Sequence, residues 1–209
     1  MIILYSMAMN IKMKSLIGEG VGSFALNGFA MGVAVLIEED LLAIGFITGL
    51  GITLLIYLLG DKKINPAISL GFFLSGRSHL KMTCLEILFQ VFGATVAALF
   101  FFHFPASLPR LAIDIPLSQA ILIEAAITGL LVYVVLEGLS PILIGLVIFL
   151  GIWVAGDLTG AVLNPARAFG PALVQKDFSD HLLYWIGPLL GGVLGSGLRT
   201  HLQNLFCVR

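Results

Sequence analysis

Charge is scarce in this chain of 209 residues. It contains 11 lysines and arginines and 12 aspartates and glutamates, so that 11% of the residues are charged. A soluble domain carries about 25%. The net charge of -1 predicts no nucleic-acid partner. Because 59% of the residues are hydrophobic and the mean hydropathy is +1.07, the composition predicts a membrane protein in contact with the lipid bilayer.

Cysteine is nearly absent too. Cys84 and Cys207 are both predicted to face a reducing cytoplasm, so no structural disulfide is expected. The histidines have no metal-ligand spacing with either cysteine, and no metal site or other cofactor is predicted. Since no nucleophile elbow or metalloenzyme motif occurs, the sequence does not predict an enzyme. The histidines are His79, His103, His181 and His201.

Long apolar runs are what the sequence has instead. Crossing a hydrocarbon core of about 30 Å takes about 20 residues as a helix, and six runs approach that length. The brief loops between them leave no room for a soluble domain, so a single transmembrane domain is expected over residues 1–209. No cleavable signal is recognisable, and the first run is expected to act as its own insertion signal. The runs are 16–37, 41–60, 82–103, 116–137, 140–156 and 181–203.

Positive charges are distributed unevenly across this six-span arrangement. Only Arg110 and Lys176 lie on one side, and by the positive-inside rule that side is external. A multi-pass protein of the cell membrane with both termini in the cytoplasm is therefore predicted. The acidic run 38–40 is expected in a solvated outer loop. The basic residues on the predicted cytoplasmic side are Lys12, Lys14, Lys62, Lys63, Arg77, Lys81, Arg199 and Arg209.

The tripeptide Asn-Pro-Ala occurs twice, at Asn65-Pro66-Ala67 and at Asn164-Pro165-Ala166, 99 residues apart. Asn is a favoured N-cap and Pro fits the first helical position, so each tripeptide predicts the start of a short helix, over 66–75 and 165–174. About ten residues of helix reach roughly 15 Å, half of the hydrocarbon thickness. Both segments are thus predicted to be half-helices that begin inside the membrane and line a wet cavity.

The tripeptides belong to a longer internal repeat. Glu19 in the first span corresponds to Glu124 in the fourth, and Gln90-x-x-Gly93 corresponds to Pro188-x-x-Gly191. Each half, approximately 1–105 and 114–209, has three spans, and an odd number inverts the second half across the membrane. The half-helices then meet near the midplane from opposite faces. Their positive N-termini repel cations there, while the Asn amides donate to a passing oxygen and interrupt proton relay.

These features resemble the aquaporin family, over nearly the whole chain, and most specifically in the extended second box, residues 164–170. The resemblance implies an all-α, right-handed bundle of six transmembrane helices plus two re-entrant half-helices. It also implies one pore per subunit, assembly as a homotetramer, and permeation of water and small neutral solutes. Glu19 and Glu124 match buried glutamates that hold backbone near the half-helices. A proton-coupled site at these glutamates is the alternative.

Four residues match the selectivity filter of that family: Thr48, Ile152, Ala161 and Arg167. None of them is aromatic, which predicts a filter wide enough for glycerol, urea or undissociated metalloid acids. Packing between spans is the alternative for Thr48 and Ile152. Ala168 and the Tyr184-Trp185 pair are closer to water-selective members, although these two aromatics also suit an interfacial belt. A water-selective channel, an anion-conducting pore and a non-conducting junction protein therefore remain alternatives.

The approach to the first Asn departs from the family pattern. The segment Gly60-Asp61-Lys62-Lys63-Ile64-Asn65 is about three residues shorter than in many members. The deletion places Lys62 and Lys63 near the cytoplasmic mouth. They are interpreted either as a gate or as charges that set topology.

Overall fold

Eight helices form the part of the chain that the structure, a computed structural model, describes. That part comprises residues 2–37, 40–101, 111–112 and 114–206, with side chains from residue 12 onward. Glu38, Glu39, His103, Arg110, Cys207 and Arg209, to which the sequence assigned places, lie outside the described residues. The helices are α1 (Ile2–Leu36), α2 (Leu41–Leu59), α3 (Pro66–Leu74), α4 (Leu80–Phe100), α5 (Leu117–Leu136), α6 (Pro141–Thr159), α7 (Pro165–Gln175) and α8 (His181–Phe206).

Six of these helices are long and apolar enough to cross a membrane, and they confirm the six predicted spans. The first of them, α1, extends further towards the N-terminus than the predicted start at residue 16. The short fifth run is a full helix of 19 residues, Pro141–Thr159, or about 28 Å. Apolar side chains on all six are exposed, as a lipid-facing surface requires. Examples are Leu36, Leu58, Leu99, Leu122, Val154 and Leu194.

The two short helices begin where the Asn-Pro-Ala boxes predict. Asn65 and Asn164 are the N-caps, and each is followed by Pro at the first helical position. The lengths are 9 and 11 residues, which amounts to about 14 and 17 Å. Neither helix can cross a bilayer, so both are half-helices as predicted.

The helices pack in pairs that correspond between the two halves. Within each half the first helix packs on the last, α1 on α4 and α5 on α8. Between the halves, α2 packs on α6, α3 packs on α8, and α7 packs on α4. Exchanging the halves converts the α1–α4 pair into α5–α8 and the α3–α8 pair into α7–α4, and it leaves the α2–α6 pair unchanged, as expected for two repeats related by a pseudo-two-fold axis.

Two glycines show the correspondence at atomic scale. A Cβ atom on Gly93 of α4 would lie 2.0 Å from the carbonyl oxygen of Gly20, the residue after Glu19. A Cβ atom on Gly191 of α8 would lie 2.8 Å from the carbonyl oxygen of Ala125, the residue after Glu124. Both contacts are too close for any side chain, so these positions bring the first and last helix of each half into backbone contact. Because Gly20 and Ala125 directly follow Glu19 and Glu124, this contact fixes the position of each glutamate along its helix relative to the last helix of the same half.

Candidate functional site

The N-caps of the two half-helices bind each other's approach segments. Asn65 Nδ2 donates to the carbonyl oxygen of Leu163 at 2.9 Å, and Asn164 Nδ2 donates to the carbonyl oxygen of Ile64 at 2.9 Å. Each accepting residue immediately precedes the other Asn. Each Asn Oδ1 also accepts from its own helix, at 2.9 Å from Ala67 N for Asn65 and at 3.0 Å from Ala166 N for Asn164. One of the two amide hydrogens of each Asn is thus directed to the opposite half, which the sequence did not predict, and one remains for a ligand.

The residues before each Asn adopt left-handed backbone conformations. The φ angle is 48° at Ile64 and 57° at Leu163. Such a conformation is uncommon for a non-glycine residue and costs about 1 to 3 kcal/mol. It turns the carbonyl groups of Ile64 and Leu163 towards the opposite Asn. No sequence signal indicates it, because Ile and Leu are among the residues least expected there.

Two buried carboxylates stabilise these strained turns. Glu19 accepts hydrogen bonds from the backbone N–H groups of Lys63 at 2.9 Å and Ile64 at 2.7 Å. Glu124 accepts from those of Val162 and Leu163, both at 2.9 Å. A third donor completes each set: Gln90 Nε2 at 2.8 Å on Glu19, and Thr159 Oγ1 at 2.8 Å on Glu124. Three donors offset the cost of burying each carboxylate. The structure thus places both glutamates against backbone at corresponding positions of the two halves.

A cavity of about 310 Å³ runs past the paired Asn side chains. Along α2 its lining extends from Thr48 to Gly60, twelve residues or about 18 Å of helix. Asn65 and Asn164 both line it, although each is only 4% exposed. Most of the remaining wall is aliphatic, so a molecule in the cavity would find polar partners at only a few places. The aliphatic lining includes Leu26, Ile52, Ile56, Ile68, Leu131, Ile144 and Ile148.

Arg167 lines this cavity from the first turn of α7. Its Nη1 donates to the carbonyl oxygen of Ala161 at 3.3 Å and lies 3.5 Å from that of Val162. These carbonyl groups hold one edge of the guanidinium. Because the group carries five donors, others remain for a molecule in the cavity.

The other three residues of the predicted filter lie in different surroundings. Thr48 is on the cavity lining. Ile152 is 3% exposed and packs in the core beside Gly45 of α2, and Ala161 is fully buried. Neither is among the described lining residues, and Ala161 contributes through its carbonyl group on Arg167. The roles of Thr48, Ile152, Ala161 and Arg167 as a filter stay a prediction.

Tyr184 and Trp185, for which the sequence allowed an interfacial belt position, lie in two different environments. Tyr184 is 2% exposed and its hydroxyl donates to the carbonyl oxygen of Thr159 at 2.9 Å, at the end of α6. An interfacial belt position is therefore wrong for Tyr184, which supports the Glu124 turn through Thr159. Trp185 is partly exposed and donates to His181 Nε2 at 2.9 Å.

At the Gly60 end, the short approach segment places both lysines on the cavity lining. Lys62 forms an ion pair with the exposed Asp61, and this hydrogen bond lowers the pKa of the Asp61 carboxyl. Lys63 forms a buried ion pair with Glu86 of α4, and its Nζ lies 4.9 Å from the centre of the Phe72 ring. The sequence placed the lysines at the mouth but did not predict the partner 23 residues later.

Neither cysteine nor histidine forms a site in the described part of the chain. Cys84 is exposed and has a free thiol. A search of those residues finds no group of three histidine, cysteine, aspartate or glutamate side chains able to hold a metal ion.

Comparisons with known proteins agree with this architecture. Residues 6–198 match the family described as "MIP: Major intrinsic protein". Aquaporin TIP4-4 of Zea mays is 36% identical over 146 residues, covering 63% of this chain and 58% of that protein. Aquaporin TIP2-1 of Arabidopsis thaliana is 30% identical over 193 residues, covering 84% and 77%. The chain thus spans less than two thirds of the length of the first of these relatives.

The fold also matches a solved structure. An X-ray structure of the aquaglyceroporin from Plasmodium falciparum superposes with a TM-score of 0.75 and 22% identity, covering 94% of this chain and 97% of that one. At this identity the likeness concerns the fold, and it confirms the all-α bundle of six spans and two half-helices. From the family match over residues 6–198, the chain belongs to the major intrinsic protein family, the family of the aquaporins, and is a multi-pass membrane protein.

Proposed function

We propose that this protein is a passive channel for water and small uncharged solutes that excludes protons and ions. The observation that carries the proposal is the reciprocal bonding of Asn65 and Asn164 on the lining of one cavity. It fixes two half-helix N-termini against each other where the cavity passes. Family membership supports a pore over an enzyme, because the relatives are named as aquaporins.

Exclusion of ions follows from the charges around this point. Each helix N-terminus contributes about half a positive charge, and Arg167 adds a full one. A cation that loses its water there meets only repulsion. A water molecule or a hydroxyl group accepts hydrogen bonds from the remaining Asn hydrogens, and a water that accepts from both Asn cannot readily relay a proton.

The proposed filter consists of Thr48, Ile152, Ala161 and Arg167. It joins a wall of small and aliphatic residues to one set of donors, which suits glycerol, urea and undissociated metalloid acids as well as water. The alternative is a water-selective channel. Ala168 and the Tyr184-Trp185 pair favour it, because they resemble the residues of water-selective members of the family.

A second candidate function is an anion-conducting pore. It is favoured by the basic side chains on the cavity lining, Arg167 in α7 and the two lysines 62 and 63 in the approach segment. Chloride or nitrate currents across planar bilayers containing the purified protein would support it. Osmotically active vesicles without such currents would exclude it.

Stopped-flow light scattering on proteoliposomes tests the channel. Wild-type protein should accelerate osmotic shrinkage over empty liposomes, and Asn164→Ala should remove most of the gain. Asn27→Ala is the matched control, since Asn27 is a buried Asn that bonds to the Ser23 carbonyl and lies off the cavity lining. Water flux in wild type that is no faster than in Asn164→Ala and in empty liposomes would contradict the proposal and favour the non-conducting junction protein.

The proposal extends to membrane, topology and assembly. The location is a cell membrane with both termini cytoplasmic, supported by the distribution of basic residues. The whole chain, residues 1–209, acts as one channel domain with repeats at about 1–105 and 114–209, and the subunits form a homotetramer as the family resemblance implies. Reporter fusions at each terminus test the topology, and native mass spectrometry in detergent tests the tetramer.

A further inference from the structure

Two further cationic residues, Lys62 and Lys63, line the cavity away from Arg167, and Lys63 is the one whose ion pair is with a buried partner. Lys63 lies two residues before Asn65, whereas Arg167 lies three residues after Asn164. Contacts with helix α4 show how far apart the Lys63 region and α7, the helix that carries Arg167, lie. Lys63 pairs with Glu86, while Gly170 of α7 contacts the Ala94 carbonyl, eight residues or about 12 Å further along α4.

Lys63 is held in place rather than extended into water. Its side chain is 12% exposed and that of Glu86 is 6% exposed, and the two form an ion pair. The ammonium group also lies over the face of Phe72, 4.9 Å from the ring centre, where a cation is attracted by the ring electrons. Since an ammonium has three donors and Glu86 accepts one, Lys63 retains donors for a molecule in the cavity.

Phe72 is itself fixed on the cavity wall. It follows Asn65 and Ile68 on the lining at helical spacing, so all three lie on one face of α3. Arg77 lies on the ring as well, 6.0 Å from its centre, and donates to the Leu136 carbonyl at 2.6 Å. The lining thus has an aromatic ring beside a cationic donor at this end, whereas the residues 48, 152, 161 and 167 contain no ring.

We propose that Lys63, positioned by Glu86 and Phe72, is a second specificity-determining residue of the pore. It donates to the oxygen of a neutral polar solute, such as urea or glycerol, as that solute passes between the cytoplasmic mouth and the paired Asn. The aliphatic wall beyond Lys63 offers few hydrogen-bond donors. A urea or glycerol molecule that has lost its hydration shell there depends on the Lys63 ammonium more than a water molecule does. This inference rests on the proposed channel function.

The test compares solute and water flux in proteoliposomes. Lys63→Met together with Glu86→Gln removes the charge pair without leaving a buried unpaired charge, and Lys63→Arg retains a cationic donor. The matched control is Arg199→Met with Glu137→Gln, which removes an ion pair of 2.9 Å between α8 and the end of α5; neither of these two residues lines the cavity. Urea and glycerol uptake are divided by osmotic water permeability for each protein.

The double variant at Lys63 and Glu86 should lower the solute-to-water ratio about tenfold, the factor given by losing one charge-assisted hydrogen bond of about 1.4 kcal/mol. Lys63→Arg should keep most of the wild-type solute-to-water ratio, and the control variant at Arg199 and Glu137 should leave that ratio unchanged. A merely structural pair would lower both fluxes in proportion as less protein folds, and an unchanged ratio would overturn the inference.

Two outcomes for the wild-type protein separate this inference from the channel function. If wild type carries water but neither urea nor glycerol, Lys63 selects no solute and the inference fails while the channel stands. If wild-type proteoliposomes are no more permeable than empty ones to water and to both solutes, the channel function itself fails.

Discussion

Glu124 accepts a hydrogen bond of 2.9 Å from the backbone N–H of Leu163, a leucine held at a φ angle of 57° immediately before the second Asn-Pro-Ala box. Glu19 does the same for Ile64 at 2.7 Å in the other half. Each carboxylate thereby stabilises a left-handed backbone conformation that the side chain of Leu163 or Ile64 disfavours. The carbonyl groups that bind the two asparagines depend on this stabilisation.

Replacing Glu124 by Gln should therefore destabilise the protein by about 1 to 3 kcal/mol, the cost of leaving a buried N–H without an acceptor. The new NH₂ group faces one of the backbone donors that the second carboxylate oxygen accepted. Thermal unfolding in detergent measures the change. Asp61→Asn is the comparison, since the Asp61 side chain is 88% exposed and losing its pair with Lys62 should cost about 0 to 1 kcal/mol. Equal losses for the two variants would show that the Glu124 bonds add no stability.

Gly93→Ala should destabilise the contact between α1 and α4. The added Cβ would lie 2.0 Å from the Gly20 carbonyl oxygen, so the helices must separate, at about 1 to 3 kcal/mol for overpacking. Gly197→Ala is the matched change in α8, where nothing lies within 4 Å of the new atom. It should stabilise the helix by about 0.5 to 1 kcal/mol. Melting temperatures that shift in the same direction would contradict this packing.

Lys176→Gly should stabilise the end of α7. Lys176 is the C-cap, exposed and left-handed with a φ angle of 57°, a conformation that glycine adopts without steric cost. We expect a gain of about 0.5 to 1 kcal/mol in the free energy of unfolding. Lys14→Gly, an exposed change inside α1, should instead lose a similar amount. A lower free energy of unfolding for both variants would show that Lys176 does not have a left-handed conformation in the protein.

Ile152→His tests the predicted filter. If Ile152 borders the permeation path, a polar ring there should lower glycerol and urea flux while sparing water, because the ring narrows the path and offers water a hydrogen bond. Ile152→Val is the conservative control. If Ile152 only packs between spans, as its 3% exposure allows, water and solute fluxes should fall together with the amount of folded protein. Stopped-flow measurements on the same vesicles distinguish these results.

The sequence predicted the elements that depend on local signals. Hydropathy located six spans, and Asn followed by Pro located both half-helices at residues 66 and 165. The correspondence of Glu19 with Glu124 predicted two carboxylates at corresponding positions of the two halves, and the structure shows them with corresponding backbone hydrogen bonds. These signals act over a few residues, or through a repeat that is visible in the chain.

The rest depends on tertiary contacts. The bond from Asn65 to the Leu163 carbonyl joins residues 98 apart, and the left-handed turn at Ile64 opposes the preference of a β-branched residue. The pairing of Lys63 with Glu86 requires knowing that the approach segment lies on α4. Matching short anchors could not show that Ile152 packs in the core, because alignment gives position along a helix and not the direction of the side chain.

The most direct test of the account measures water and proton movement on the same proteoliposomes. Osmotic shrinkage is followed by light scattering, and a trapped pH-sensitive dye reports protons under an imposed pH gradient. We predict fast, protein-dependent shrinkage with proton entry no faster than in empty liposomes. A water molecule that accepts hydrogen bonds from both asparagines, beside two positive helix ends, cannot readily relay a proton. Proton flux that rises with the amount of protein in step with water flux would contradict the account.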